Sequence, residues 1–500
     1  MSGMIALDEW KKRAQGASFQ GKAFIGGKYV DAASGETFDC MSPRSGELLA
    51  QVAACGTEDV ERAVKAARKA FEDGHWRKMA PKDRKVRLFK FAELIEANIE
   101  ELALLETLDM GKPIKYSLSS DIPGAVKSLR WYGEAIDKIY DEIAPTRTDA
   151  LALITREPMG VVAAVMPWNF PLYLAYGWKG APALAAGNSF ILKPAEQSPL
   201  TALRAAELAM EAGIPEGVFN VLPGLGEVTG KALGLHMDVD CLTFTGSSEV
   251  GKYFLQYAGQ SNMKRVWLEC GGKSPNIVLG DCPDLDKAAK VACDAIYFNQ
   301  GEVCNAGSRL IVEESIKDAL VEKIVEKSAA YQPGDPLDPS TEMGAIVDET
   351  QMNRILDYVE SGQSEGAKLV VGGKRVMEET GGYYIPPTLF DKVANSMKIA
   401  REEIFGPVLS VIACKGVEDA IQIANDTPYG LAAGIWTRDI TVAHRAARDL
   451  RAGFVYINTF DASDMSTPFG GYKESGFGRD KSLHAIDKYC ELKTTWIELS

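Results

Sequence analysis

Residues 160–166, GVVAAVM, form an uncharged apolar run closed by Gly160 on one side and Pro167 on the other. A run of this length and composition reads as a strand buried on both faces. Similar runs follow at 189–194 (SFILKP), 217–223 (GVFNVLP) and 241–246 (CLTFTG), with the amphipathic SPLTALRAAELAMEAG (198–213) between the second and third. Apolar strands alternating with helices predict a parallel sheet covered on both faces, the pattern of an α/β nucleotide domain. The alternation restarts after residue 270 with NIVLG, DLDKAAKVACDAIYFNQG and SRLIVEE, and continues through PVLSVIAC, LAAGIWT and GFVYIN. Two such series predict two α/β domains with a cleft between them. Upstream, EDVERAVKAARKAFED (58–73) and residues 82–111 carry apolar residues at three- and four-residue spacing, so the first part of the chain reads as mainly helical. LALITREP (151–158) and the closing CELKTTWIEL (490–499) are β-prone.

At 500 residues the chain is too long for one core, and 46% hydrophobic with 25% charged residues is an ordinary globular composition. A net charge of -14 argues against nucleic acid as a partner. The first residues lack the apolar stretch of a secretory signal. The uncharged residues 158–178 are long enough to span a bilayer, but Pro167, Asn169 and Pro171 at their middle predict a buried strand and turn followed by a helix, so no membrane segment is expected. Nine scattered cysteines without a CxxC pair point to a reducing, cytoplasmic setting rather than a disulfide framework. His75, His236, His444 and His484 are far apart in the sequence, so no metal mechanism is expected.

Several segments carry possible chemistry, each with a plainer reading beside it. Gly224, Gly226 and Gly230 in VLPGLGEVTG follow a strand with GxGxxxG spacing, which suits a phosphate loop or a simple turn. Gly246 and Ser247 open a helix, where free amides favour an anion. Cys304, in FNQGEVCNAGSR (298–309), is either a nucleophile or a buried thiol. Glu269 ends an apolar strand before two glycines and is either a general base or a helix cap. Asn169 in WNFP is either an oxyanion donor or a turn former.

Together PWNFP, LKPAEQSP, FTGSSEVG, LECGGKSPN, FNQGEVCNAGSR, EEIFGPV and PFGGYKESGFGRD resemble, in order and separation, the aldehyde dehydrogenase superfamily from about residue 20 onward. LLETLDMGKP, SNMKRVWLE and GRDKSLHAIDKYCELKTTWIEL are most similar to bacterial aminoaldehyde dehydrogenases of putrescine and arginine breakdown, of the γ-glutamyl-γ-aminobutyraldehyde and 4-guanidinobutyraldehyde type. The resemblance implies Cys304 as nucleophile, Asn169 as oxyanion donor, Glu269 as the base that activates water, and Lys179 as a residue assisting proton movement. It implies NAD as cofactor, held by Trp168, Lys193, Glu196, Gly246, Ser247, Gly271, Glu403 and Phe405, with Glu196 disfavouring a 2'-phosphate. It places Asp121, Phe170, Asp461, Ser463, Asp464 and Phe469 around the substrate, giving a wide negative mouth, with Gly124 leaving room for a long tail.

The implied fold has a NAD-binding domain (1–143 and 163–269), a catalytic domain (270–475) and a β-extension for oligomerisation (144–162 and 476–500), in a homodimer or homotetramer. The implied reaction is NAD-dependent oxidation of an ω-aminoaldehyde, or its γ-glutamyl or guanidino derivative, through a cysteine thiohemiacetal and thioester. A broad aliphatic or betaine-type enzyme is the alternative within the class, and a silent structural protein the alternative outside it. Three positions depart from the family pattern. FPLYLAYG (170–177) is one residue longer, which turns the helix by about a quarter turn or is absorbed in a bulge. Glu302 replaces the commoner Gln and opposes thiolate formation if it points inward, and Cys270 replaces Leu or Ala as packing.

Overall fold

A computed structural model describes residues 5–499; residues 1–4 and 500, at the outer ends of the first and last expected segments, lie outside them. The larger sheet has eight strands, and its five central ones run parallel in the spatial order Arg265–Cys270, Cys241–Gly246, Val161–Val165, Ser189–Lys193, Phe219–Val221. Relative to the chain, this order reverses between Val161–Val165 and Cys241–Gly246. Connections leave these two strands on opposite sides, which opens a crevice beyond their carboxyl ends.

Side chains alternate across the sheet with the two-residue period of a strand. Val162 and Ala164 pack with Phe190 and Leu192 on one face, while Val161, Ala163 and Val165 pack with Ile191 and Leu242 on the other. Because both faces are buried, the strands read as unbroken apolar runs.

The second sheet has seven strands, six of them parallel, with Pro275–Val278, Arg309–Glu313 and Ala432–Trp436 near its middle. Helices Thr57–Asp73, Pro81–Ala97 and Ile99–Met110 fall where apolar periodicity places them. The same region also holds strands Ala23–Ile25, Lys28–Val30, Thr37–Met41 and Leu48–Ala53, which were not expected. Two of these have only three residues, too few to show a period.

Ala150–Pro158 pairs antiparallel with Cys490–Glu498 along its length, and Glu142–Ala144 lies on its other edge. Leu492, Trp496 and Ile143 stand exposed on this small sheet. Among the described residues no helix is long and apolar enough to cross a membrane.

Two local features position the site. The segment after Asn169 takes π-helical geometry over Tyr173–Gly180, the bulged of the two outcomes expected there, before Ala181–Ala186 resumes α-helical geometry. In the second sheet the wholly buried Arg309 donates to the carbonyls of Lys273, Ile423 and Ala424 and to Asn395 Oδ1. Ile423 and Ala424 close helix Val417–Asn425, so Arg309 satisfies last-turn carbonyls that the helix cannot pair itself. Replacing Arg309 with Leu strands these buried acceptors. We expect Arg309→Leu to cost about 3 kcal/mol or more, measured as a lower apparent melting temperature with NAD absent.

Candidate active site

The crevice at the strand reversal is a cleft of about 1170 Å³ that opens to solvent, with walls drawn from both large sheets. At one end Ser247 caps helix Ser248–Gln260, its Oγ accepting from Val250 N at 3.2 Å. The other first-turn amides of that helix are unpaired, which favours an anion. Gly246 precedes it, where a Cβ would lie 2.4 Å from the Phe244 ring. Gly226, from the other glycine-rich turn, also lines the cleft. On a side wall the buried Lys193 ammonium lies 2.8 Å from the half-buried Glu196.

Toward the far end Trp168 meets Phe405 edge to face at 5.6 Å. Glu403 Oε1 accepts from Gly272 N at 3.2 Å, and burial pushes its carboxyl up to about 7. A Cβ on Gly271 would lie 2.0 Å from that carboxylate, so only glycine lets the two meet.

Cys304 reaches the cleft on a loop of unusual backbone. Asn299, Gln300 and Gly301 all have positive φ (49°, 57° and 73°). Two non-glycine residues in that region are costly unless neighbours fix them, and here buried amides do so. Asn299 Nδ2 donates to the carbonyls of Asn169 and Glu302, and Gln300 Oε1 accepts from Gly344 N at 3.0 Å. Asn169 Nδ2 also donates to the Glu302 carbonyl, at 2.8 Å, which leaves its second N–H for another acceptor. The Glu302 carboxylate is engaged by the backbone: its Oε1 accepts from Val347 N at 3.1 Å, and burial pushes its carboxyl well above the usual range.

The Cys304 thiol is pushed up by burial first, then by Glu269, Glu403 and Asp461. Burial likewise raises Glu269 to about 8; Asp480 adds to the rise, and Lys179, Lys488 and Arg479 oppose it. Glu269 Oε1 has no protein partner. Lys179, one residue before the end of the π-helical stretch, pairs with Asp480 in the interior.

The expected substrate residues lie in a less acidic setting than the sequence suggests. Phe170 stacks on Phe298 at 6.3 Å, and Phe469 lies 5.0 Å from Trp178. Asp121 is wholly buried and paired with Lys112, so it does not present a free charge at an open mouth. The space beside Gly124 is filled by the Tyr173 ring, 2.9 Å from where a Cβ would sit. Asp464 pairs with Lys127 at 3.2 Å, and Ser463 Oγ accepts from Lys481 at 2.9 Å. Asp461 accepts from Asn305 at 2.7 Å, and loss of water around its carboxyl raises its pKa while Asn305 and Lys481 oppose the rise.

Asp480 and Lys488 were not singled out from sequence, although Asp480 closes the quoted PFGGYKESGFGRD stretch. Gln351 and Arg354, which also line the cleft, carry no sequence signal of their own. Among the described residues no group of three or more His, Cys, Asp and Glu side chains is set to hold a metal ion.

A doubly wound sheet whose switch-point cleft ends on a cysteine, a buried carboxyl and an amide is the architecture of a nucleotide-dependent enzyme with a thiol nucleophile. Residues 29–495 match the aldehyde dehydrogenase family model, and the chain belongs to that family of oxidoreductases. It is 51% identical to the NADP/NAD-dependent aldehyde dehydrogenase PuuC of Escherichia coli (strain K12), over 99% of both chains. A solved indole-3-acetaldehyde dehydrogenase complexed with NAD+ superposes with a TM-score of 0.98 at 60% identity, covering 99% of this chain and 100% of that one. The γ-glutamyl-γ-aminobutyraldehyde dehydrogenase of Burkholderia cenocepacia J2315 gives 0.97 at 57% identity over the same shares.

The Cys304 loop depends on Gly301, where a Cβ would lie 2.2 Å from the Gly406 carbonyl. We expect Gly301→Ala to cost about 1–3 kcal/mol and to change the rate at which iodoacetamide alkylates Cys304, read by peptide mass spectrometry. Unchanged alkylation and melting would show that the loop does not need this backbone.

Proposed function

We propose that the chain catalyses NAD-dependent oxidation of an ω-aminoaldehyde, or its γ-glutamyl or guanidino derivative, to the carboxylic acid. The observation that carries this reading is the convergence of Cys304, Asn169 and Glu269 on one dinucleotide-sized cleft. The residues present fit the cofactor: a capped helix N-terminus for a pyrophosphate, Lys193 and Glu196 for the adenosine ribose, Glu403 for the second ribose, and Trp168, Phe405 and the close-set Gly271 around the ring. Glu196 opposes a 2'-phosphate and favours NAD, while Lys193 offsets part of its charge. When bound, NAD supplies the hydride acceptor.

Cys304 Sγ adds to the aldehyde carbon once its proton has left. The free Asn169 N–H, with the Cys304 backbone N–H, holds the oxygen of the thiohemiacetal. After oxidation to the thioester, Glu269 takes a proton from the water that releases the acid. Lys179 is the residue beside that base that assists proton movement.

In the same reading residues 1–143 and 163–269 form the cofactor domain, 270–475 the catalytic domain, and 144–162 with 476–500 an extension that joins subunits of a homo-oligomer in the cytoplasm. The exposed Leu492 and Trp496 on the small sheet support the last assignment.

Cys304→Ala should abolish NADH formation while NAD binding, followed by fluorescence titration, stays near the wild-type value. Glu269→Gln should keep an NADH burst of about one per site and slow the turnover that follows. In the wild type the thioester-hydrolysis rate should rise with pH to a midpoint near 8, because only the ionised Glu269 accepts the proton.

The substrate loop gives a separate prediction. Asp464 is exposed and already paired with Lys127, whereas the Asp461 carboxyl is close enough to act on Cys304. Asp461→Asn should therefore lower the preference for 4-aminobutanal over hexanal, in kcat/KM, by more than Asp464→Asn does. Equal ratios in both variants and the wild type would remove these carboxylates from substrate selection.

A further inference from the structure

Lys179, Asp480 and Lys488 form a buried cluster in which each side chain is no more than 6% exposed. Asp480 lies between two ammonium groups: Oδ2 pairs with Lys179 and Oδ1 with Lys488. Although burial opposes it, these two cations hold Asp480 below the usual carboxylate range. Lys488 is pinned against the strand of Glu269, since its carbonyl accepts from Trp267 Nε1 at 2.9 Å and Trp267 stands two residues before Glu269.

The charge count is informative. With Glu269 ionised, the interior holds two carboxylates and two ammonium groups and is balanced. Without Lys488 it would hold two carboxylates against one ammonium, and one carboxyl would have to take up a proton. Asp480 would keep its pair with Lys179 through Oδ2, whereas Glu269 Oε1 has no partner, so the proton would go to Glu269.

The groups that face Glu269 come from several elements. Lys179 lies on the π-helical stretch, Arg479, Asp480 and Lys488 on the C-terminal segment, Cys304 on the nucleophile loop and Cys270 on its own strand. Glu403 acts on both cysteines from across the cleft.

We infer that Lys488 is a positioning residue for the reaction: through the Asp480 carboxylate it shares with Lys179, it supplies the second buried positive charge that favours the ionised form in which Glu269 acts as the base of thioester hydrolysis. This rests on the reading of Glu269 as that base. Lys488 also lines a shallow surface groove with His484 and Asp487, so the far side of the cluster lies close to solvent.

The test compares Lys488→Met with Lys488→Arg. Enzyme, NAD and 4-aminobutanal are mixed for a single turnover, and decay of the acyl-enzyme is followed by intact-protein mass spectrometry across pH. In Lys488→Met the midpoint should move up by about one pH unit, a roughly 10-fold slower hydrolysis below it, while the NADH burst keeps its amplitude. Lys488→Arg, which keeps the charge, should stay at the wild-type midpoint. A Lys488→Met midpoint equal to the wild type, or an equal shift in Lys488→Arg, overturns the inference.

If Lys488→Met does not fold, Lys488→Gln is read in the same way. Infrared titration of the protonated-carboxyl band that Glu269→Gln removes gives a readout that needs no turnover, and an unshifted band in the neutral variant also overturns the inference. Wild-type hydrolysis rates in Glu269→Gln would instead refute the base role of Glu269, an outcome distinct from failure of the Lys488 step.

Discussion

The site depends on a clasp between two loops that belong to different sheets. Asn169 follows a strand of the eight-stranded sheet, and the Cys304 loop precedes a strand of the seven-stranded one. Asn169 Nδ2 donates to the Glu302 carbonyl, and Asn299 Nδ2 returns a bond to the Asn169 carbonyl. These buried amides have no water to fall back on, so breaking the clasp would leave several polar groups unpaired. Through it a cysteine carried by one sheet is held in the crevice opened by the other. The positive φ angles at 299–301 are the local cost of that reach, and the amide bonds offset it.

Within the clasped site, burial sets the resting protonation. Cys304, Glu269 and Glu403 are all pushed toward their neutral forms by the same loss of water. The raised Cys304 thiol and the Glu269 carboxyl raised to about 8 therefore share one first cause, the exclusion of water from this end of the cleft. The lysines around Asp480 work against the burial of Glu269 and keep its ionised form within reach. The ionisation of Glu269 is thus a balance between solvent exclusion and the charge cluster around Asp480.

Much of the fold was legible because its signals are local. A strand buried on both faces must be apolar throughout, so GVVAAVM, SFILK and CLTFTG announce themselves, and the paired α/β series follow. The order of the strands was not legible, since it is fixed by which edges pair. The three-residue strands near the N-terminus are shorter than any period they could show. The length of the segment after Asn169 left a rotated helix and a bulge both open, and the chain takes the wider π-helical geometry over Tyr173–Gly180.

The cleft residues were legible through their motifs, while their charges were not. Asp121 and Asp464 read as free carboxylates because their partners, Lys112 and Lys127, carry no mark in sequence that ties them together. Lys127 lies 337 residues before Asp464, and Lys179 lies 301 before Asp480. A side chain's charge type is a property of one residue, but its effective charge is a property of a pair, and pairing is decided by the tertiary fold. For this reason the acidic mouth inferred from loop composition becomes, in three dimensions, a rim where carboxylates and ammonium groups meet, and the basic pair around Asp480, which composition did not suggest, lies next to the base.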